Sequence, residues 1–332
     1  MGGGIAENLR AAGFLHAVWD ARDAACARFP AVPWGLGKVA DCDIILLAVP
    51  GSAQIGALFD AGLLELGFPD TGLPDMGLPD TGLPDTGPPD TDLPDMGLPD
   101  TGLPDTGPPD TDPPDTGPTD RDAGRVLVDL TTSDPGATAR LAARAAQAGA
   151  AYLDAGMSGG AAGAAAGQLT LMIGGAPEVL ARIRPVLDRI AAQILHVGPS
   201  GAGHTMKLVH NMICHTIFLA TTEGCRAAAR AGIPLESAIA AINAGNARSF
   251  VSERRFPDHI ISGEFDGRSV AGNLAKDLSL ASALFDDLKQ PSAYVHLTAG
   301  LLAQVGEQGL LEQDFTRLFP AYDALVRSWK QA

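Results

Sequence analysis

Residues 125–154 read RVLVDLTTSDPGATARLAARAAQAGAAYLD, and this stretch decides the fold class. The apolar run at 125–130 predicts a buried strand, because parallel strands covered on both faces carry continuous apolar residues. The Ala-rich segment near 136–148 predicts a helix, and residues 152–154 predict the next strand. A strand, a helix and a second strand in this order are typical of a parallel sheet with helices on its faces.

The same alternation extends over the first 198 residues, and it then stops. Further strands are predicted at 15–19, 44–49 (IILLAV), 169–173 and 194–197, with helices near 53–66 and 176–191. From about Ser200 onward only helical patterns follow, near 202–231, 234–243, 273–288, 292–306 and 313–328. We therefore predict an α/β fold. A doubly wound, Rossmann-like parallel-sheet domain (1–67 and 123–198) precedes an all-helical domain (199–332).

An acidic repeat interrupts the predicted sheet domain. Residues 68–117 are ten copies of a five-residue unit that begins FPDTG, LPDMG, LPDTG. Residues 68–122 contain 14 Asp and one Arg, a net charge of −13, so the rest of the chain carries −3 of the total −16. Proline in every unit opposes helix, and little apolar surface is present to offset the entropy of ordering the chain. We predict that residues 68–122 form a disordered insert.

Composition excludes several classes of partner. The acidic balance disfavours nucleic acid, because phosphate binding needs a basic surface. No run of 18 apolar residues is present, so no transmembrane helix is expected. The four cysteines form no CxxC pair and no Cys/His cluster with metal-ligand spacing, so no metal site is expected. We expect reduced thiols in a cytoplasmic protein.

The first residues, MGGGIAENLRAAGF (1–14), resemble the start of the 3-hydroxyisobutyrate dehydrogenase family. Its members open with a strand, a GxGxMG turn and a helix that reads roughly AxNLxxAG. Met1 and Gly2 fall on the internal Met and the third glycine of that motif, and Ala6, Asn8, Leu9 and Gly13 match the helix. The resemblance implies that a first strand and two glycines would precede Met1. We expect a misplaced start, and poor NAD binding by the chain as numbered.

Three further segments carry the resemblance. They are DAGMSGGAAGAAAGQLTLMIGG (154–175), GPSGAGHTMKLVHN (198–211) and LAKDLSLA (274–281). The family motifs that they resemble are DAPVSGGxxxAxxGxLxxMxGG, GxxGxGxxxKxxNN and MAKDLxLA. The resemblance implies an oxidoreductase that transfers a hydride between NAD and a small 3-hydroxy acid, and we expect a homo-oligomer. Residues 250–251 and 256–272 diverge from the family pattern, which leaves the substrate open.

Lys207 and Asn211 are the predicted catalytic residues. They lie four apart and therefore share one helix face. Oxidation of an alcohol needs a group that takes the hydroxyl proton, and a lysine does this when burial lowers its pKa. The resemblance assigns the acid/base role to Lys207 and a hydrogen bond with the hydroxyl group to Asn211. It assigns the substrate carboxylate to Ser158, Gly159 and Gly160, which we expect in a loop after a strand.

Cofactor contacts are predicted at the strand ends. Asp20 follows Gly2 at about the spacing at which an acidic residue binds the ribose hydroxyls of NAD, once the lost glycines are allowed for. Arg22 could instead bind a 2′-phosphate, so NAD is predicted and NADP stays open. The resemblance adds four cofactor contacts, which are Val49, Pro50, Thr132 and Lys276.

Two alternative functions stay open. His210-Asn211 replaces the usual Asn pair and, with His204, resembles 6-phosphogluconate dehydrogenase, which implies a sugar-acid dehydrogenase. That relative uses an acidic residue seven positions after its lysine, where this chain has Cys214. The other alternative is a non-catalytic protein that keeps the NAD-binding fold, and an intact Lys207 opposes it. If Lys207 served only as an electrostatic anchor, His204 or His210 would be the next candidates for proton transfer.

Overall fold

The computed structural model describes residues 1–29, 32–33, 35–39, 41–64 and 124–331. The predicted insert at 68–122 lies outside these residues, so its disorder stays a prediction. The described residues on both sides of this insert belong to one compact unit. Among the described helices, none has the length and apolar character needed to span a bilayer.

A five-stranded sheet forms the first half of the described chain. In chain order the strands are β1 (Ile44–Leu47), β2 (Arg125–Asp129), β3 (Ala150–Ser158), β4 (Leu169–Gly174) and β5 (Ala191–Gly198), and they lie side by side in that order. β1, β2 and β3 are parallel, whereas β4 is antiparallel to β3 and β5 is parallel to β4. Only ten residues join β3 to β4. A crossover that returns a strand in the parallel direction needs about a dozen or more residues. The predicted sheet fold is confirmed, with one antiparallel pair in it.

Helices cover the sheet in the first half of the chain, and the described elements after β5 are all helices. The helices of the first half are α1 (Gly2–Ala11), α2 (Asp23–Cys26), α3 (Leu36–Val39), α4 (Ser52–Leu58), α5 (Pro135–Gln147), α6 (Gly160–Ala166) and α7 (Pro177–Leu187). Those of the second half are α8 (Ala202–Arg230), α9 (Leu235–Ala244), α10 (Ala271–Asp287), α11 (Tyr294–Ala303) and α12 (Leu318–Gln331). Two π-helical segments, Phe59–Leu63 and Val251–Ile261, and a 3-10 turn at Phe315–Arg317 complete the described elements. The expected all-helical second half is confirmed.

Apolar clusters on both faces of the sheet explain the continuous apolar strands. Val126 and Val128 of β2 pack in the cluster that includes α1 and α7, while Leu127 packs in the cluster that includes α4 and α5. Neighbouring residues of a strand point to opposite faces, so both faces must be apolar when both are covered. A third cluster fills the helical half around α8 and α10.

The predicted strand at 15–19 is wrong. Val18 makes only isolated backbone contacts, donating to the Pro33 carbonyl at 3.1 Å and accepting from the Gly35 N–H at 3.2 Å. β1 pairs with β2 on one side, and no described strand lies on its other side. Among the described residues the 15–19 segment therefore has no ladder to join, and its apolar pattern alone does not make a strand.

The start of α8 is fixed tightly against the sheet. Asp154 Oδ1 accepts from the Gly201 N–H at 2.7 Å and Oδ2 accepts from the His204 N–H at 2.9 Å. The Asp154 carboxylate thus satisfies N–H groups that the first turn of a helix leaves unpaired. A Cβ added at Gly203 would lie 2.4 Å from the Asp154 carbonyl oxygen and 2.5 Å from that of Met172. Only glycine allows this approach, so the turn before Lys207 has a fixed position on β3 and β4.

Candidate functional site

Lys207 is a buried lysine with a lowered pKa. It lies near the amino end of α8 and is 8% exposed. Burial lowers the pKa of Lys207 because it disfavours the charged ammonium, and the nearby Lys276 acts in the same direction. Asp277 and Cys214 oppose this shift. Within the described chain Lys207 Nζ forms no hydrogen bond, so its proton-binding site is open to a ligand.

Asn211 lies on the same face of α8 and is held by a carboxylate. Its Nδ2 donates to Asp277 Oδ2 at 2.7 Å, and its Oδ1 lies 3.1 Å from His210 Nδ1. Asp277 is 8% exposed, and its Oδ1 lies 3.1 Å from Lys276 Nζ. Burial raises the pKa of Asp277, while Lys276, Lys207 and Asn211 lower it. One carboxylate thus faces two lysines, so Asp277 compensates the charge that a proton on Lys207 would add only in part.

Asp277 is a residue that the sequence analysis did not single out. It stands directly after Lys276 in the LAKDLSLA segment, so the motif contained it. Nothing local indicates its partner, because Asn211 lies 66 residues earlier in the chain. Packing of α10 against α8 brings the two together.

The Ser158–Gly160 segment lies at a strand end and a helix start, where a loop was expected. Ser158 is the last residue of β3, and Gly160 is the first residue of α6. Gly159 has φ 119° and Gly160 has φ 63°, values that favour glycine. The short crossover to β4 requires this sharp reversal. Ser158 Oγ lies 3.4 Å from His210 Nε2, so the segment reaches the side of α8 that carries Lys207 and Asn211.

Lys276 joins the helical half to the ends of two strands. Its Nζ donates to the Pro50 carbonyl at 3.3 Å and to the Thr132 carbonyl at 3.2 Å. Pro50 follows β1 and Thr132 follows β2, with the partly buried Val49 beside Pro50. In α/β sheets, ligands bind outside the carboxyl ends of the strands. The structure thus brings together Lys276 and the strand ends predicted to contact the cofactor.

Gly2 and Asp20 complete the predicted cofactor contacts. Gly2 begins α1 beside the end of β1, and a Cβ added to it would lie 3.7 Å from that of Ala48. Asp20 accepts from the Arg22 backbone N–H at 2.9 Å and from its Nε at 3.2 Å, and these bonds lower the pKa of Asp20. A glycine-rich helix start suits a pyrophosphate, and an ionised carboxylate suits ribose hydroxyls. These residues fit a dinucleotide, while the Asp20–Arg22 pair leaves the choice between NAD and NADP open.

His204 does not belong to this site. It is fully buried, with Nδ1 2.7 Å from Thr138 Oγ1 and Nε2 3.3 Å from the Asp129 carbonyl. Asp129 in turn accepts from the Tyr152 hydroxyl at 2.7 Å. These contacts fasten α8 to β2, β3 and α5. The expectation that His204 could act in proton transfer is therefore corrected, because both of its ring nitrogens are engaged.

Two family models match consecutive parts of the chain. Residues 119–198 match the model described as the NAD binding domain of 6-phosphogluconate dehydrogenase. Residues 201–322 match the model described as the NAD-binding of NADP-dependent 3-hydroxyisobutyrate dehydrogenase. The two matches meet between β5 and α8, where the predicted domain boundary lies.

Curated relatives and solved structures agree with these matches. The chain is 31% identical over 209 residues to 2-(hydroxymethyl)glutarate dehydrogenase of Eubacterium barkeri, covering 63% of this chain and 67% of the relative. It is 29% identical over 206 residues to the NAD-dependent L-serine dehydrogenase of Pseudomonas aeruginosa, covering 60% and 69%. Mycobacterium tuberculosis 3-hydroxyisobutyrate dehydrogenase, solved with L-serine, superposes with a TM-score of 0.75 at 21% identity, covering 97% of this chain and 95% of that one. This structural likeness concerns the fold alone.

Proposed function

This chain belongs to the 3-hydroxyisobutyrate dehydrogenase family, and from that premise we propose that it is an NAD(P)-dependent oxidoreductase that acts on a small 3-hydroxy acid. The observation that carries the proposal is Lys207, a buried lysine with a lowered pKa on the same helix face as Asn211. Relatives named for 2-(hydroxymethyl)glutarate and L-serine support a substrate with a hydroxyl group on the carbon beyond the one that bears the carboxylate.

Lys207 would serve as the general acid and base. In its neutral form Nζ takes the hydroxyl proton during oxidation, and in its charged form it returns that proton during reduction. Because burial lowers the pKa of Lys207, a larger fraction of the side chain is neutral at pH values below the ordinary lysine pKa. A bound nicotinamide would supply the hydride chemistry, with the hydroxyl carbon of the substrate as its partner in either direction.

Asn211 and the Ser158 segment would orient the substrate. The side-chain amide nitrogen of Asn211 carries two N–H groups. One donates a hydrogen bond to Asp277, so the second can donate to the substrate hydroxyl oxygen. The Ser158 hydroxyl and the backbone N–H groups of Gly159 and Gly160 suit a carboxylate, because they can approach it without side chains in the way. These roles rest on geometry and on the family resemblance.

The alternative functions have less support. A 6-phosphogluconate dehydrogenase-like reaction would need an acid near the position of Cys214, and burial raises the pKa of that thiol, so it releases its proton poorly. A non-catalytic protein would have no need for a buried lysine whose charge is only partly compensated, because burying that charge costs stability.

The proposal can be tested by turnover with a panel of 3-hydroxy acids, namely 3-hydroxyisobutyrate, L-serine and 2-(hydroxymethyl)glutarate, each with NAD and with NADP. The enzyme used carries the family's first strand and glycine turn added at its amino end. On the best substrate, Lys207→Ala should lower kcat by about 10² to 10⁴, the usual contribution of one positioned acid–base group. Lys207→Arg should not restore it, because guanidinium stays protonated. The exposed Lys330→Ala is the matched control. Near-normal turnover by Lys207→Arg would contradict the acid/base role, and binding without any turnover would favour the non-catalytic alternative.

We also propose a homo-oligomer, supported by apolar side chains exposed on the helical half. Met206 and Ile213 lie seven residues apart on α8 and are 37% and 48% exposed, and Leu297 on the neighbouring α11 is 43% exposed. Helical residues seven apart share one face. Light scattering should show an oligomer for the wild type and a larger fraction of monomer for Leu297→Glu. A monomeric wild type would refute the proposal.

We propose a reducing, cytoplasmic location because the four cysteines are free.

A further inference from the structure

The catalytic face of α8 continues beyond Asn211. Cys214 and His215 lie three and four residues further along and therefore point to the same side. Arg255, from the π-helical segment Val251–Ile261, is close enough to lower the pKa of both. Packing also links Arg255 to α8. Its guanidinium lies over the ring of Phe315, which packs edge-on against Phe218 of α8 with the ring centroids 5.2 Å apart, and Phe218 lies one turn beyond Cys214.

Arg255 has a positive charge and no carboxylate partner among the residues that the structure describes. Its guanidinium carbon lies 5.3 Å from the ring centroid of Phe250 and 5.4 Å from that of Phe315. It donates from Nη1 to the Gly267 carbonyl at 3.5 Å, which is a long contact for such a bond. None of the carboxylates that the structure describes lies within ion-pair distance of it. The two rings hold the planar group in place and leave donors unused.

His215, on the side of α8 affected by the charge of Arg255, has a ring nitrogen without a hydrogen-bond partner among the described residues. Its Nε2 is buried, and it has no hydrogen-bond partner among the described residues. Burial, followed by Lys207, His210 and Arg255, lowers the pKa of His215 to about 3. The ring is therefore neutral at working pH. A buried polar atom without a partner is rare in native proteins, so this one calls for a ligand.

We propose that Arg255 and His215 receive a second carboxylate of the substrate, at the end away from the reacting hydroxyl group. Arginine binds a carboxylate through two parallel N–H···O bonds, and the flanking rings preorganise it for this. A carboxylate fits better than a phosphate, because one fixed positive charge balances one negative charge and the imidazole contributes none. The substrate class becomes the dicarboxylic 3-hydroxy acids. This inference rests on the proposed function and specifies its substrate.

The test compares kcat/KM for 2-(hydroxymethyl)glutarate, 3-hydroxyisobutyrate and 6-phosphogluconate, which carry a distal carboxylate, no distal anion and a distal phosphate. The wild type should prefer the dicarboxylate. Arg255→Gln should lower the ratio of dicarboxylate to monocarboxylate kcat/KM by about 10- to 100-fold, chiefly through KM, because hydrogen bonds to a charged group are strong. Arg255→Lys should restore part of the ratio, since it keeps the charge but not the paired donors. The matched control is Arg254→Gln, whose side chain is 65% exposed and pairs with Asp258 at 3.0 Å.

A second readout does not depend on turnover. Glutarate should raise the melting temperature of the wild type and of Arg254→Gln more than isobutyrate does, and Arg255→Gln should abolish this difference. Equal losses for all substrates in Arg255→Gln, or a wild type that prefers the monocarboxylate or the phosphate, would overturn the assignment. Glutarate binding through Arg255 without any turnover would refute the proposed function and keep the anion site. Turnover that is independent of Arg255 would refute this inference alone.

Discussion

Replacement of Gly203 by alanine should show whether the position of Lys207 against the sheet matters for activity, because it leaves the lysine side chain itself unchanged. The added Cβ would lie 2.4 Å from the Asp154 carbonyl oxygen and 2.5 Å from the Met172 carbonyl oxygen. Ordinary contact begins at 3.4 Å, so α8 must move by about 1 Å, because both obstacles are backbone atoms of strands in the sheet. Overpacking of this kind costs about 1–3 kcal/mol.

The same movement should reduce activity. Lys207 lies one turn after Gly203 and moves with it, and a misplacement of about 1 Å in a reacting group can cost about 10²-fold in rate. The hydrogen bonds from Gly201 and His204 to Asp154 should also lengthen. We expect Gly203→Ala to lower kcat by about 10²-fold. The melting temperature should fall by about 2–5 °C, which is the shift that a loss of about 1–3 kcal/mol gives in a chain of this size.

Steady-state kinetics and thermal unfolding should be measured on the same preparations. Gly224→Ala is the matched control, because it lies on the same helix and an added Cβ would meet no heavy atom within 4 Å. That variant should keep full activity and gain stability, by up to about 1 kcal/mol, since alanine is the better helix former. A Gly203→Ala enzyme with wild-type kcat would show that the fit of α8 against the sheet does not position Lys207.

The remaining predictions concern the buried charges. For the wild type, kcat/KM for oxidation should rise with pH to a plateau that begins below 10.5, the ordinary lysine value, because Lys207 must be neutral, and reduction should fall over the same range. Asp277→Asn removes a carboxylate that raises the pKa of Lys207, so the oxidation limb should move to lower pH, and an unchanged midpoint in the pH profile would contradict the coupling. Tyr152→Phe removes the hydroxyl that donates to the fully buried Asp129, so urea unfolding should show a loss of about 1–3 kcal/mol. A loss close to zero would mean that this carboxylate does not depend on Tyr152.

Local pattern was enough to predict most of the architecture. The apolar run at 125–130 predicts a strand that is buried on both faces. The long helical pattern near 202–231 predicts a helix, which the structure has at Ala202–Arg230. Lys207 and Asn211 share a face because helix geometry repeats over four residues, whatever the helix packs against. The roles of Ser158, Gly159, Gly160 and the cofactor contacts stay predictions that the geometry supports.

The amino-acid pattern was sufficient for the order of the elements, the change from sheet to helices near residue 200, and the helix face shared by Lys207 and Asn211. Tertiary structure alone decided which distant groups meet on that face. Asp277 contacts Asn211 across 66 positions, and His204 bonds with Thr138 and Asp129. The 15–19 segment pairs with none of the strands that the structure describes. Periodicity reflects interactions within a few residues, whereas the pKa of a buried lysine depends on groups that only packing brings near it.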